Sequence, residues 1–333
     1  RMSRDVAAIY ALDAFDRVDY RIDSPATGNT LVIGAKGDRG SRRYFQAGLN
    51  LSSDFGKSAN FDLALGYTDR DFLGTGGEWR GFARVGSNLL FDVSLYKRFG
   101  GFFIEPVAAF ERRSVTVRQI GSTMTFETLQ AARLNAGIDG GLVFGNWGEL
   151  RVGARLGGVN PIEGNFGTAL APGWNRDLEL RGGFTFDTLD SQTFPRSGLL
   201  AQVQYIDHVP VLGARFSRNT LSFNLQKPIS RNRLTVVLGL SGGATTGPTG
   251  EFIGDFALGG FLNLSGVPRF SLVGPQQLFG RAVGFYRISD RSPILDLPIY
   301  IGGSFEAGNV WQGRADIGFG DLRAAVSGFV AAD

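Results

Sequence analysis

Residues 149–156 read Glu149-Leu150-Arg151-Val152-Gly153-Ala154-Arg155-Leu156. Leu150, Val152, Ala154 and Leu156 fall on one face of an extended backbone, and Glu149, Arg151, Gly153 and Arg155 on the other, because successive strand side chains point to opposite sides. The same period returns along the chain. Phe61, Leu63, Leu65 and Tyr67 oppose Asp62, Ala64, Gly66 and Thr68, and Leu178, Leu180, Phe184 and Phe186 oppose Glu179, Arg181, Thr185 and Asp187. Leu199, Ala201, Val203 and Tyr205 oppose Gln202 and Gln204. Leu234, Val236, Leu238 and Leu240 oppose Arg233 and Thr235, and Ile299, Ile301 and Phe305 oppose Ser304 and Glu306.

A soluble sandwich also alternates, but three features favour a transmembrane barrel. The segments run to about 10–15 residues, beyond the usual strand and long enough for a tilted membrane span. Aromatics recur near segment ends, as Tyr96 and Phe99, Phe102 and Phe103, and Phe279 and Phe285, where interfacial girdles sit. The polar face carries Arg, Glu, Gln and Gly, as a hydrated lumen would. Of the sheets possible in lipid, only a closed one satisfies every backbone group.

Composition narrows the chemistry. The 333 residues include 49 Gly and 28 Phe, no Cys and one His, His208. A disulfide scaffold, a thiolate metal site, a Cys nucleophile and a His-cluster metal centre are thereby excluded. Neither a catalytic motif nor a cofactor is expected. Net charge is +3, with no basic block to track phosphates, so no nucleic-acid partner is expected. Among the cations only Lys36, Lys57, Lys97 and Lys227 are lysines. The arginines suit an enclosed polar surface, where a planar fork makes several hydrogen bonds. No apolar run reaches the 18 or so residues of a spanning helix. The chain opens at Arg1 without a signal peptide, which reads as a fragment of something longer.

Alternation places strands at 42–52, 59–69, 79–87, 89–98, 102–112, 124–142, 147–157, 177–187, 196–207, 213–227 and 232–243, then at 278–289, 297–309 and 322–333. Short joints at 99–101, 144–148 and 227–230 alternate with long connections at 113–123, 158–176 and 244–277, the asymmetry of periplasmic turns and extracellular loops. Before this array, Ser3 caps a short helix through Leu12, with Val6, Ile9 and Tyr10 as its apolar stripe. Two strands follow, around Val18, Tyr20 and Ile22 and around Leu31-Val32-Ile33.

The opening resembles the second half of a polypeptide-transport-associated (POTRA) domain, through Ala14-Phe15-Asp16-Arg17-Val18-Asp19-Tyr20. The remainder resembles the barrel of the bacterial surface antigen superfamily, the outer-membrane assembly and two-partner secretion translocators. Within it the resemblance is strongest to patatin-like type V autotransporters. Asp71-Phe72-Leu73-Gly74-Thr75-Gly76-Gly77 resembles a family periplasmic turn. Phe186-Asp187-Thr188-Leu189-Asp190, with Phe194-Pro195-Arg196-Ser197-Gly198, resembles another, in which Pro presets a dihedral and Gly accepts positive φ. Leu258-Gly259-Gly260-Phe261 with Leu264-Ser265-Gly266 falls where the family folds its sixth extracellular loop into the lumen.

The resemblance implies an all-β fold: an outer-membrane antiparallel barrel of sixteen strands, of which fourteen are visible, over residues 39–333, behind a POTRA piece at 1–38 in the periplasm. It also implies that about two strands and the terminal aromatic lie beyond the segment. Many relatives carry Arg at the second position of the loop tip, paired with an acid on strand thirteen. Here that position is Gly259, while Phe305-Glu306-Ala307-Gly308 keeps the acid. Glu306 then needs another partner, and Arg269 and Arg281 are the nearest candidates.

No Gly-x-Ser-x-Gly elbow occurs, so the family's upstream lipase is not in these residues. His208 reads as a loop residue ahead of Pro210, and the carboxylates read as spread one per strand along a solvated lumen. The expected role is a translocator and anchor for a passenger polypeptide. Its expected partners are outer-membrane lipid, that passenger, and the barrel assembly machinery during insertion. An assembly insertase, a diffusion porin and a barrel enzyme using His208 are the rivals.

Overall fold

The computed structural model describes residues 15–23, 30–37, 42–53, 59–119, 125–164, 171–213, 217–247, 256–268, 271–289 and 298–332. The helix expected at 3–12, and Arg269, lie outside the described residues. β1 (Phe15–Asp23) and β2 (Thr30–Gly37) form an antiparallel pair.

The strands that follow are β3 (Arg43–Ser53), β4 (Ala59–Arg70), β5 (Gly77–Gly86), β6 (Leu89–Phe99), β7 (Phe102–Gln119), β8 (Thr125–Phe144), β9 (Gly148–Glu163), β10 (Asn175–Asp187), β11 (Leu200–His208), β12 (Arg218–Arg231), β13 (Leu234–Thr246), β14 (Phe256–Leu258), β15 (Leu272–Gly274), β16 (Gln276–Ser289), β17 (Ile299–Trp311) and β18 (Arg323–Ala332). Fourteen of them make one antiparallel sheet in the order β18-β17-β16-β13-β12-β11-β10-β9-β8-β7-β6-β5-β4-β3. Each strand pairs with its chain neighbour except at β13 and β16, which meet across the small β14–β15 hairpin.

Every barrel segment read from the alternation is a strand of this sheet, and the differences lie at the ends. β7 continues through 113–119, part of an expected loop, and pairs to its last residue with β8. The joint expected at Lys227-Pro228-Ile229-Ser230 is strand: β12 runs to Arg231, and the chain turns at Asn232 with φ 54°. Pro228 is tolerated because it pairs only with Val237 of β13, the β11 pairing having stopped at Leu200 opposite Gln226. Its missing N–H therefore faces no neighbouring strand.

The two faces separate as the alternation requires. Phe61, Leu63, Leu65, Leu150, Val152, Leu156, Leu234, Leu238, Leu240, Ile301 and Phe305 stand exposed on the outer face, which in a membrane meets lipid. Asp62, Glu105, Asp139, Asp177, Glu179, Thr235, Ser304 and Glu306 are buried on the inner face. The aromatics expected as girdle residues divide between the faces. Phe99 and Phe102 are exposed, whereas Phe103, Phe279 and Phe285 point inward and are buried. Phe279 and Phe285 found two separate inner clusters, one with Leu258 and Leu264 and one with Val237 and Tyr300. An end-of-strand aromatic looks alike in sequence whether it faces lipid or seats a segment folded into the lumen.

Candidate functional site

The connection between β13 and β16 returns to the inner wall. Leu258 ends β14 and, like Leu264, is fully buried, the pair packing on Phe279 with Val267, Leu272, Val310 and Ala325 around them. Between these two anchors the backbone makes a knot of short turns. Gly259 N–H donates to Asn263 O (2.8 Å), Asn263 N–H to Gly260 O (3.0 Å) and Gly260 N–H to Val267 O (2.9 Å). Gly259 and Gly260 hold φ of 125° and 106°, where only glycine is unstrained. Leu262 and Leu264 accept φ of 57° and 75°. Phe261 stays exposed, edge-on to Phe329 of β18 at 6.0 Å.

Glu306 of β17 receives this knot. Its Oε2 accepts the N–H groups of Leu264 (2.6 Å) and Ser265 (2.7 Å), and its Oε1 accepts the hydroxyls of Ser265 (2.8 Å) and Ser304 (2.5 Å). Ser304 is joined in turn to Ser327 of β18 at 2.6 Å. The sequence pointed to a cation for Glu306. Arg281 is its cross-strand register partner, yet among the described residues no ion pair joins them, and Arg281 Nη1 donates instead to Leu262 O at 3.0 Å. The physical reason is the tip itself. Two consecutive N–H groups converge on one carboxylate as an anion-binding concavity, so charge-assisted hydrogen bonds from backbone and serine fill the oxygens. Carboxylate and guanidinium thus grip the tip from adjacent strands, at different atoms.

The turn motifs lie at the opposite end of the sheet. Asp71 N–H donates to Gly77 O (2.6 Å), with Gly74 and Gly76 at φ 80° and 77°, and the Lys97 ammonium reaches the carbonyls of Leu73, Gly74 and Thr75. In the second turn Asp187 accepts the Leu189 N–H (2.9 Å), while Asp190 Oδ1 accepts the N–H groups of Arg196 (2.8 Å) and Ser197 (3.0 Å). Burial acts to raise the Asp190 carboxyl, but those N–H donors outweigh it and hold it below the usual carboxylate range. Gly198, at φ 99°, is required because a Cβ there would lie 2.0 Å from Thr188 O. Phe194 and Pro195 fold inward from this turn, Phe194 onto the Val237–Phe285–Tyr300 cluster.

Sequence reasoning missed how the inner charges assemble. Arg151 gathers Glu105 (2.5 Å), Glu149 (2.8 Å) and Asp139 (3.1 Å), and Arg155 adds a second contact to Asp139 (3.1 Å). On the neighbouring strands Arg133 spans Asp177 (3.0 Å) and Glu179 (2.7 Å), and Arg181 reaches Glu179 (2.9 Å). His208 is not a loop residue. It ends β11 opposite Glu179 and Arg218, is buried, and places Nδ1 2.7 Å from Asp177. Pro210 follows two residues later, so pairing stops just beyond the histidine rather than before it. Asp177, Glu179 and His208 approach within 4.8 Å, a spacing that suits a metal ion. Arg133 already bridges both carboxylates and Arg181 adds a second cation to Glu179, so a metal ion would have to displace them. The available signal was the alternation of opposite charges on inward positions, but which charges meet depends on strand register.

No curated protein matches this chain. Its fold is similar to that of BamA from Haemophilus ducreyi lacking POTRA domains 1–3, at a TM-score of 0.68 and 13% identity, covering 99% of this chain and 71% of that one. It is also similar to CdiB from Acinetobacter baumannii, at 0.64 and 11%, covering 98% and 61% of the two chains, and to CdiB from Escherichia coli, at 0.53 and 11%, covering 99% and 69%. This chain therefore spans less than two thirds of the Acinetobacter protein. Residues 39–325, nearly the whole fourteen-stranded sheet with its inward loop, match the Omp85 superfamily domain, and the chain belongs to that superfamily of outer-membrane barrels.

Proposed function

We propose that this chain is the barrel of a type V secretion translocator that anchors and exports a passenger polypeptide, with residues 1–38 as the end of a periplasmic POTRA domain. The observation that carries the reading is the loop tip at 258–266 held against the inner wall by Glu306. A conduit that must stay shut between transport events needs an internal stopper fixed by bonds that break without unfolding the wall. Bonds to one carboxylate and one apolar patch fit that need. The patatin-like resemblance supports a lipase-type passenger carried ahead of residue 1. Outer-membrane lipid surrounds the outer face, and the barrel assembly machinery inserts the sheet.

An assembly insertase is the second reading, favoured by the likeness to the BamA fold and weakened by Gly259 in place of the family arginine. Protease accessibility on intact cells producing the full-length protein separates the two. A translocator presents the passenger at the surface and leaves other outer-membrane barrels at normal levels when deleted. Loss of those barrels on deletion, with no passenger outside, contradicts the proposal.

A further inference from the structure

The turn between β10 and β11 is seated rather than free. Phe194 stacks on Tyr300 of β17, with ring centroids 4.2 Å apart and planes 6° from parallel. It stands edge-on to Phe285 of β16 at 5.1 Å and 84°, and Phe285 and Tyr300 are themselves perpendicular at 5.6 Å. Val237 of β13 packs with these two rings, and Phe329 of β18 flanks them. These are the offset and edge-to-face arrangements that aromatic rings favour. The pocket is an apolar box distinct from the Phe279 cluster that holds the loop tip, on a wall that also buries Thr235, Ser304 and Glu306.

Its walls and its occupant are held differently. Val237, Phe285 and Tyr300 are fixed by strand ladders on both sides. The turn is tied to the sheet beside it by Ser230 Oγ donating to Arg196 O (2.7 Å), Lys227 Nζ donating to Gly198 O (2.9 Å) and Arg196 Nη2 donating to Asn232 O. Such exposed polar contacts contribute little each. The occupant can therefore leave while the pocket persists. The pocket lies at the end of the sheet shared by the short turns, which the translocator reading makes the periplasmic entrance.

We propose that the Val237–Phe285–Tyr300 pocket is a docking site for an aromatic side chain of an extended polypeptide, occupied at rest by Phe194, so that residues 188–199 form a gate the incoming chain displaces. The polypeptide part rests on the translocator reading; the seated gate does not. Because Phe194 is tethered beside its own pocket, its effective concentration is high. A free aromatic residue competes poorly, and a long polypeptide with further contacts competes well.

Residues 1–333 contain no cysteine, so Val237→Cys, in full-length protein whose cysteines outside these residues are replaced by serine, gives a single thiol inside the pocket. Labelling by a hydrophilic maleimide should be slow with Phe194 present and about tenfold faster or more with Phe194→Ala, the loss of the stacked and edge contacts. Phe194→Tyr should restore slow labelling. Acetyl-Gly-Phe-Gly-amide, added to the Val237→Cys, Phe194→Ala protein, should slow it again, and acetyl-Gly-Ala-Gly-amide should not. Equal labelling with and without Phe194 overturns the gate. Equal protection by the two peptides, or by neither, overturns the docking site. Trypsin cleavage after Arg196, read on protein retaining Val237, provides a second measure of the gate. It should accelerate with Phe194→Ala, and an unchanged rate contradicts the seated turn. Because both gate readouts use resting protein with no polypeptide in transit, a failed translocator reading remains distinguishable from a failed gate.

Discussion

Glu306 accepts the backbone N–H of Leu264 at 2.6 Å across 42 residues of chain, while the Leu264 side chain is fully buried on the same wall. One residue is therefore held twice, by its amide on a carboxylate and by its side chain in an apolar cluster, and this double hold turns the loop inward. Leu264 makes both contacts at a left-handed φ of 75°.

Reinstating the arginine common at the tip should weaken the seat rather than strengthen it. Gly259 sits at φ 125°, where a side chain costs about 1–3 kcal/mol, and the Glu306 oxygens are already filled. Gly259→Arg should thus speed proteolysis within 256–268 on folded protein. Slower proteolysis would mean that an arginine partner suits this loop after all.

Leu240 is exposed mid-strand on the outer face, between Leu225 and Gly280 in register. Leu240→Arg should cost about 2–4 kcal/mol of folding stability in lipid vesicles, the penalty for a charge near the bilayer midplane. Gln202→Ala, on the lumen side, should change little. The reverse pattern would exchange inside and outside.

Gly153 makes room for the inner charges. A Cβ there would lie 2.0 Å from Asp139 Oδ1, so Gly153→Ala should push the Asp139 carboxylate off Arg151 and Arg155. The expected cost is about 3 kcal/mol, at the low end for breaking a buried pair, because Arg151 keeps Glu105 and Glu149 and both arginines are partly exposed. Urea titration in vesicles measures it. Asp139→Ala should cost a similar amount, and the double variant no more than either single one.

The pH response of the 188–199 turn follows from Asp190. A carboxyl whose folded value is depressed contributes stability that is complete above its unfolded value, about 4. That contribution is lost as pH falls through the still lower folded value. Tryptic cleavage after Arg196, in samples preincubated at graded pH and returned to neutral with a conformational trap, should rise only below about pH 4. Asp190→Asn should remove that acid dependence. A transition near neutrality would assign the response to another group.

The sheet was legible in the sequence because the outer face must be apolar at every second residue, a constraint that each strand satisfies by itself. Strand ends were less so. Pro228 read as a turn because a proline breaks pairing in general, whereas here it stands beyond the end of β11. The inward clusters were illegible for a different reason. Arg133 meets Asp177 and Glu179, and Phe194 meets Tyr300, only after long separations in chain are closed by register. The resemblance located Glu306 and the loop tip, but the atoms that join them depend on backbone geometry that residue identities do not carry.

The most direct test of the inward, Glu306-held loop is single-channel current through the full-length protein in planar bilayers. Wild-type protein should be quiet. Glu306→Gln, which keeps the shape but replaces an anion that accepts four hydrogen bonds with a neutral amide, should raise open probability or noise. The sheet should stay folded, since the loss is about 1.5–3 kcal/mol for a charged acceptor. Currents in Glu306→Gln indistinguishable from wild type, with the loop equally protected from protease, would contradict the account and leave apolar packing of Leu258 and Leu264 as what holds the loop.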